Sequence, residues 1–409
     1  MQVLHVRCAG LDVHKDTVVA CVRVQEAGKG RTEVRTFGTT TTSLLRLGDW
    51  LRESGITAVV MEATGTYWKP VWHLLEDEEF EKILVNPAHV KAVPGRKTDV
   101  NDAMWLAELL AHGLVRSAFV PDLEIQNIRG FTRTRKQFVR EKTRHVQRIQ
   151  KILQDCNIKL DSVISSITGK SGRLILRALI AGETSAEALA ALGDRRLEAT
   201  PEELAEACRG FVNEANRVLM EIELDEVEHI EAVIAKLEAE AAKALQPFRA
   251  QVEALDGIPG VDETSAMAIV AEIGADMSRF PTVDHLVSWA GLCPRSDESA
   301  GKHRSTRIRK GDPWLRDALI QAAWAAARKR ESYERALYLR LKGRRGAKKA
   351  IVAVARTLLT AAYFILRDRV EYQSLGPDHF NTLDRERTKQ KLVQRLQKLG
   401  YNVAVEEAA

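Results

Sequence analysis

Residues 56–61 read Ile-Thr-Ala-Val-Val-Met, an apolar run broken only by Thr57 that opens after Gly55 and closes on the carboxylate of Glu62. The run is short for a core helix and lacks the alternation of a half-exposed strand. It predicts a strand buried on both faces inside a sheet. Such a strand needs helices on both sides, and the flanking sequence provides them. Residues 43–53 carry Leu44, Leu45, Leu47, Trp50 and Leu51 at helical spacing, and 68–75 and 103–111 also read as helices. Runs rich in β-branched residues at 6–13, 17–24 and 32–37 predict a meander, and 83–85 a further strand. An α/β domain with a mixed sheet is therefore expected over residues 1–118.

The texture then changes. Residues 123–153 form one long helical pattern, with Val139, Val146 and Leu153 spaced by heptads, and a second helix is expected from about 201 to 245. Residues 119–250 are read as a helical, coiled-coil dimerisation region. A mainly α-helical C-terminal domain, 251–375, opens on Gly257-Ile258-Pro259-Gly260 before a helix at 264–273, a helix-hairpin-helix-like element whose amides would meet a phosphate. A charged tail, 376–409, carries one amphipathic helix at 388–399.

With 409 residues the chain has room for several cores. Lys+Arg 61 against Asp+Glu 56 is too small an excess to identify a nucleic-acid binder by itself, so the distribution of charge matters more. Cys8, Cys21, Cys156, Cys208 and Cys293 form no CxxC pair, which argues for buried thiols and against a zinc site or disulfide frame. No signal-peptide core and no uninterrupted membrane-length apolar stretch appear, so a cytoplasmic protein acting at the bacterial nucleoid, without a membrane partner, is expected.

Four acids carry the chemical signal. Asp12 ends the first strand in Gly10-Leu11-Asp12-Val13, and Glu62 ends the central one. Asp99 and Asp102 lie three apart at the start of a helix, a spacing that places them on one face. Asp99 alone reads as a helix cap and Asp102 as a first-turn acid favoured by the helix dipole. An acid closing an apolar strand has no such ordinary explanation. Hard oxygen donors with room for water suit Mg²⁺ or Mn²⁺, and ions of this kind serve phosphodiester cleavage.

The order Asp, Glu, Asp-x-x-Asp resembles the RuvC-like branch of the RNase H-like fold. More specifically, GLDVHKD, MEATGTYW, NPAHVKAVPGRKTDVNDA, GIPGVDETSA and GLCPRSDESAGKHR resemble the IS-one-ten family of insertion-sequence transposases, bridge-RNA-guided DNA recombinases. The resemblance covers the N-terminal domain and the region after residue 250. It implies a serine nucleophile in the C-terminal domain, and its pattern points to Ser299; Ser296 and Ser305 are equal candidates by residue type alone. The serine would need activation, from the metal cluster in the same or another subunit. It also implies donor and target DNA, a structured guide RNA, and dimers assembling to a tetramer.

Next to Ser299, Lys302, Arg304, Arg307, Arg309 and Lys310 form a dense basic stretch of loop character suited to phosphate. A second basic stripe runs along the first long helix through Arg133, Arg140 and Arg144, with few acids nearby in sequence. A DNA transposase/recombinase with a Mg²⁺ (or Mn²⁺) acidic cluster and a serine nucleophile is thus the leading expectation. The alternative is a RuvC-like junction resolvase or nuclease that uses water. An actin-like phosphotransferase lacks its glycine-rich phosphate turns here, and a non-catalytic adaptor would leave the four acids without a role.

Overall fold

The computed structural model describes residues 3–26, 29–92, 102–294, 297–299, 302–305, 307–383 and 385–405. They belong to two compact units, Met1–Val120 and Pro121–Ala409.

The first unit runs β1 (Arg7–Val13), β2 (Thr17–Glu26), β3 (Lys29–Gly38), α1 (Thr41–Glu53), β4 (Ala58–Glu62), α2 (Trp68–Leu74), β5 (Glu81–Val85), α3 (Pro87–Ala92) and α4 (Asp102–Ala111). The sheet order is β3-β2-β1-β4-β5, antiparallel from β3 to β1 and parallel from β1 to β5. This is the expected mixed sheet, with β4 internal and residues 58–61 buried. The short α3 was not anticipated, because six residues are too few to show a helical period.

Side-chain alternation divides the sheet into two faces. Ala9, Leu11, Val59 and Met61 pack beneath Leu44, Leu47 and Trp50 of α1 and Val71 of α2. Cys8, Ala58 and Val60 point the other way, into Leu106, Leu109 and Leu110 of α4. Gly10 belongs to this second face. A Cβ at Gly10 would overlap the backbone of Ala103 and Ala107, so its missing side chain lets α4 lie directly on β1. Cys8 and Cys21 are buried here, and burial pushes both thiols up to about 11, which leaves them protonated.

The second unit begins with α5 (Leu123–Asp155). Its next helices are α6 (Leu160–Val163), α7 (Lys170–Ile180), α8 (Ala186–Ala190), α9 (Pro201–Cys208) and α10 (Glu214–Ala244). The two long helices run antiparallel: Arg135 meets Glu238, Lys142 meets Glu231 and His145 meets Glu223, so partner numbers fall as α5 numbers rise. Ile149 and Leu153 of α5 pack with Met220, Leu224 and Val227 of α10. The single helix expected from 201 to 245 is in fact two. The chain leaves the helix after Cys208, Phe211 N–H donates to the Cys156 carbonyl at 2.9 Å, and Asn213 restarts the helix with a reciprocal capping box.

Next come α11 (Arg249–Asp256), α12 (Glu263–Ile273) and α13 (Val283–Trp289). The ribbon strands β6 (Asp297–Ser299) and β7 (Lys302–Ser305) lead to α14 (Pro313–Arg328), α15 (Tyr333–Arg345), α16 (Ala347–Asp368), α17 (His379–Leu383) and α18 (Arg385–Lys398). By length and composition α16 alone among the described residues could cross a membrane, yet Val354, Ala355, Leu358, Leu359 and Ala362 are buried in this unit. Its apolarity serves the core.

A buried carboxylate joins three of these helices. Glu272 of α12 has 3% of its side chain exposed and takes a two-pronged contact from Arg133 of α5, Nε to Oε1 at 2.8 Å and Nη2 to Oε2 at 2.6 Å. The same Nη2 reaches Asp312 Oδ2 at 3.0 Å. Asp312 in turn caps α14 by accepting from the amides of Trp314 and Leu315. One turn back on α5, Arg129 donates to the carbonyls of Ala271 and Glu272 at the C-terminal end of α12. Burial pulls the Arg129 guanidinium below its ordinary value, and the Glu272 charge opposes that.

Two stability experiments check this packing. Gly10→Val should cost about 1–3 kcal/mol by overpacking, read as a lower unfolding midpoint of the first unit; an unchanged midpoint would mean α4 does not rest on β1. Arg133→Ala should cost about 3 kcal/mol by stranding Glu272, whereas Arg144→Ala should stay within about 0.5 kcal/mol of wild type in denaturant titration.

Candidate active site

In the parallel pair β1–β4, Leu11 lies opposite Met61, so Asp12 and Glu62 are the next residues on neighbouring strands. Adjacent strands lie about 4.8 Å apart. Both acids share side-chain parity with Cys8, Ala58 and Val60, the residues under α4. The Cys8 thiol contacts the Ala107 carbonyl, and Gly10 lies beneath Ala103 and Ala107. Following α4 back to its start therefore leads along β1 toward Asp12, and Asp102 is the first residue of that helix. Asp12 and Glu62 thus lie at one edge of one face, and Asp102 belongs to the helix packed on that face. Asp99 lies outside the described residues.

Two neighbours not singled out from sequence touch these acids. His14 Nε2 lies 3.1 Å from Asp12 Oδ2, and the Thr64 hydroxyl donates to Glu62 Oε1 at 3.0 Å. Each stands two residues beyond its acid, a period-2 relation present in GLDVHKD and MEATG. Among the described residues, no three His, Cys, Asp or Glu side chains converge closely enough to hold an ion. The donor chemistry is nevertheless that of a hard-cation site: carboxylate oxygens, with a hydroxyl orienting one of them.

In the second unit Ser299 is not in a loop. It ends β6, with its backbone paired to Lys302 of β7 in a short antiparallel ribbon that also contains Arg304. The base of the ribbon is closed by a bridge between Pro294 and Ile308 and by Arg309 N–H to the Cys293 carbonyl, 3.3 Å. Just below, Gly291 and Gly311 cross so closely that a Cβ on either would overlap the other's backbone. Arg307, Arg309 and Lys310 are exposed in the segment that follows β7. The Ser305 hydroxyl accepts from Arg307 N–H at 3.2 Å, a local turn contact; Ser296 lies outside the described residues.

The basic stripe on α5 is far less bare than its sequence suggests. Arg133 is held by Glu272 and Asp312, and Arg140 by Asp317 at 2.9 Å, while both lie over the Trp314 ring. Arg144 is exposed. The turn at 257–261 does lead into α12, but Asp262 caps that helix by accepting from Ser265 N–H, so a carboxylate occupies the position considered for a phosphate. The stripe also borders a cavity of about 560 Å³ within the second unit, lined by Val139, Leu245, Met267, Ala268 and Trp314.

Two family models match in chain order: the DEDD transposase model of the IS110 group, described as a transposase, over residues 9–158, and the Transposase IS116/IS110/IS902 family over 252–339. The chain is 30% identical over 125 residues to an Insertion element IS110 uncharacterized 43.6 kDa protein of Streptomyces coelicolor, 30% of each chain. It is 26% identical to the putative transposase y4qE of Sinorhizobium fredii over 302 residues, 73% of this chain and 66% of that one. A pilin gene-inverting protein of Moraxella bovis is 22% identical over 373 residues, 88% of this chain and 95% of its own. The chain therefore spans less than two thirds of the length of the first two relatives and nearly all of the third. The first matched segment contains Asp12, Glu62, Asp99 and Asp102, the second contains Ser299, and the chain belongs to the IS110 family of transposases.

Proposed function

We propose that this chain is a DNA transposase/recombinase that cuts and rejoins strands through a covalent serine intermediate. The observation that supports it most is the closure of two adjacent parallel strands by Asp12 and Glu62, with matched side-chain parity, in a chain of this family. Asp12, Glu62, Asp99 and Asp102 would hold Mg²⁺ or Mn²⁺, which supplies charge stabilisation at a phosphodiester. Thr64 keeps the Glu62 carboxylate turned for that task, and His14 does the same for Asp12.

Ser299 is assigned as nucleophile. Its Oγ forms a bond to phosphorus as the phosphodiester P–O bond breaks, and the serine proton ends on the departing sugar hydroxyl. Attack by a hydroxyl from another strand reverses the exchange and restores serine, so the bond energy is conserved. Lys302, Arg304, Arg307, Arg309 and Lys310 flank Ser299 as phosphate contacts, with Arg144 on α5 as a further one. A structured guide RNA supplies sequence choice, and dimers pairing into a tetramer hold the exchanging strands. Sequencing of RNA co-purified with the protein tests the guide: one defined species is expected.

Asp12→Ala and Glu62→Ala should each abolish metal-dependent strand cleavage without lowering the unfolding midpoint. Thr64→Val should weaken Mg²⁺ or Mn²⁺ affinity by about 10–100-fold, measured by metal titration of cleavage. Ser299→Ala should eliminate protein covalently attached to cleaved DNA, while Ser305→Ala retains it. An undiminished adduct from Ser299→Ala would falsify the assignment, and cleavage leaving only free ends would mean that water is the nucleophile.

A further inference from the structure

Two helices of the second unit present apolar stripes that nothing among the described residues covers. On α10, Val218, Leu219 and Ile222 stand 46%, 49% and 54% exposed, and Phe211 just before the helix is 78% exposed. They lie on the side of α10 opposite Met220, Leu224 and Val227, which pack into the core. On α18, Leu392, Leu396 and Leu399 at or just beyond its end stand 58%, 41% and 67% exposed at i, i+4, i+7 spacing, one continuous stripe.

The charges beside the two stripes are opposite. Exposed Glu214, Glu221 and Glu226 flank the α10 stripe, while exposed Lys391, Arg395 and Lys398 flank the α18 stripe. Residues 385–398 contain six Lys or Arg against one Glu. An apolar helix face bordered by cations fits an apolar helix face bordered by carboxylates, with leucines inside and ion pairs at the rim. Nucleic acid could satisfy the cations but would leave three leucines in a row facing phosphate, which gains nothing from their burial.

We propose that α18 of one copy docks on the outer face of α10 of a second copy, and that the exchange is reciprocal, giving a two-fold dimer with two identical contacts. The C-terminal helix is then an assembly element, and α10 uses one face for α5 of its own chain and the other for its partner. This reading is independent of the DNA chemistry, which concerns other residues.

Sedimentation equilibrium of the full chain, without nucleic acid, tests it. Leu392→Glu/Leu396→Glu and, separately, Leu219→Arg/Ile222→Arg should each raise the dimer dissociation constant by about tenfold or more. All four positions are exposed, so circular dichroism and the unfolding midpoint should match wild type. Mixing the two variants should recover association that neither shows alone, because the heterodimer keeps one intact contact. Docking within one chain, or α18 against α18, gives no such recovery and overturns the proposal. A monomeric wild type, or an unchanged dimer in both variants, also overturns it. Retained association with lost DNA binding in Lys391→Glu/Arg395→Glu would assign α18 to nucleic acid instead.

Discussion

Much of the second unit is organised around one buried carboxylate. The Glu272 side chain is almost wholly screened from water, a position in which a carboxylate is costly to hold without cationic partners. Arg129 and Arg133 meet that need from successive turns of α5, and in doing so fix α5 against the C-terminal end of α12. Because the Arg133 guanidinium also reaches Asp312, the same cluster sets where α14 begins. Asp312 stands seven residues beyond the end of β7, so the segment that follows the ribbon is anchored at its far end by the charge network that joins α5 and α12. A basic residue that looks like a phosphate contact in sequence is, in three dimensions, part of the structural frame.

The first unit uses geometry in place of charge. Alternation along β1 and β4 decides everything about Asp12 and Glu62: shift either strand by one residue and its acid would point into the apolar layer under α1 and α2. Gly10 adds to this by allowing α4 to descend onto β1, the strand that Asp12 closes. The acids are therefore positioned by packing at residues that carry no chemistry themselves.

These contrasts explain what could be read beforehand. The sheet, its mixed character and the strand-end acids were legible because period-2 patterns and apolar runs are local. Long helices were legible for the same reason, and the break between α9 and α10 was not, because it depends on Phe211 pairing with Cys156, 55 residues away in sequence. Strands of three and four residues are too short to show a period, so the ribbon has only loop character in sequence. The α5 stripe looks bare in sequence because its counter-charges, Glu223, Glu231, Glu238, Glu272 and Asp312, are all distant along the chain. Charge compensation across a fold leaves no trace in a sequence window.

The rims of the sheet have their own consequence. β3 closes one side with Arg31, Glu33 and Arg35 linked in ion pairs along its length, and the other side, β5, is capped by a bridge from Val85 to Ser117 and by Ala118 N–H bonding the Leu84 carbonyl. A charged border and a capped border both resist recruitment of a further strand. A second copy of this chain meeting either rim would find no bare row of backbone groups to extend, so the sheet is guarded against edge-to-edge growth into fibrils.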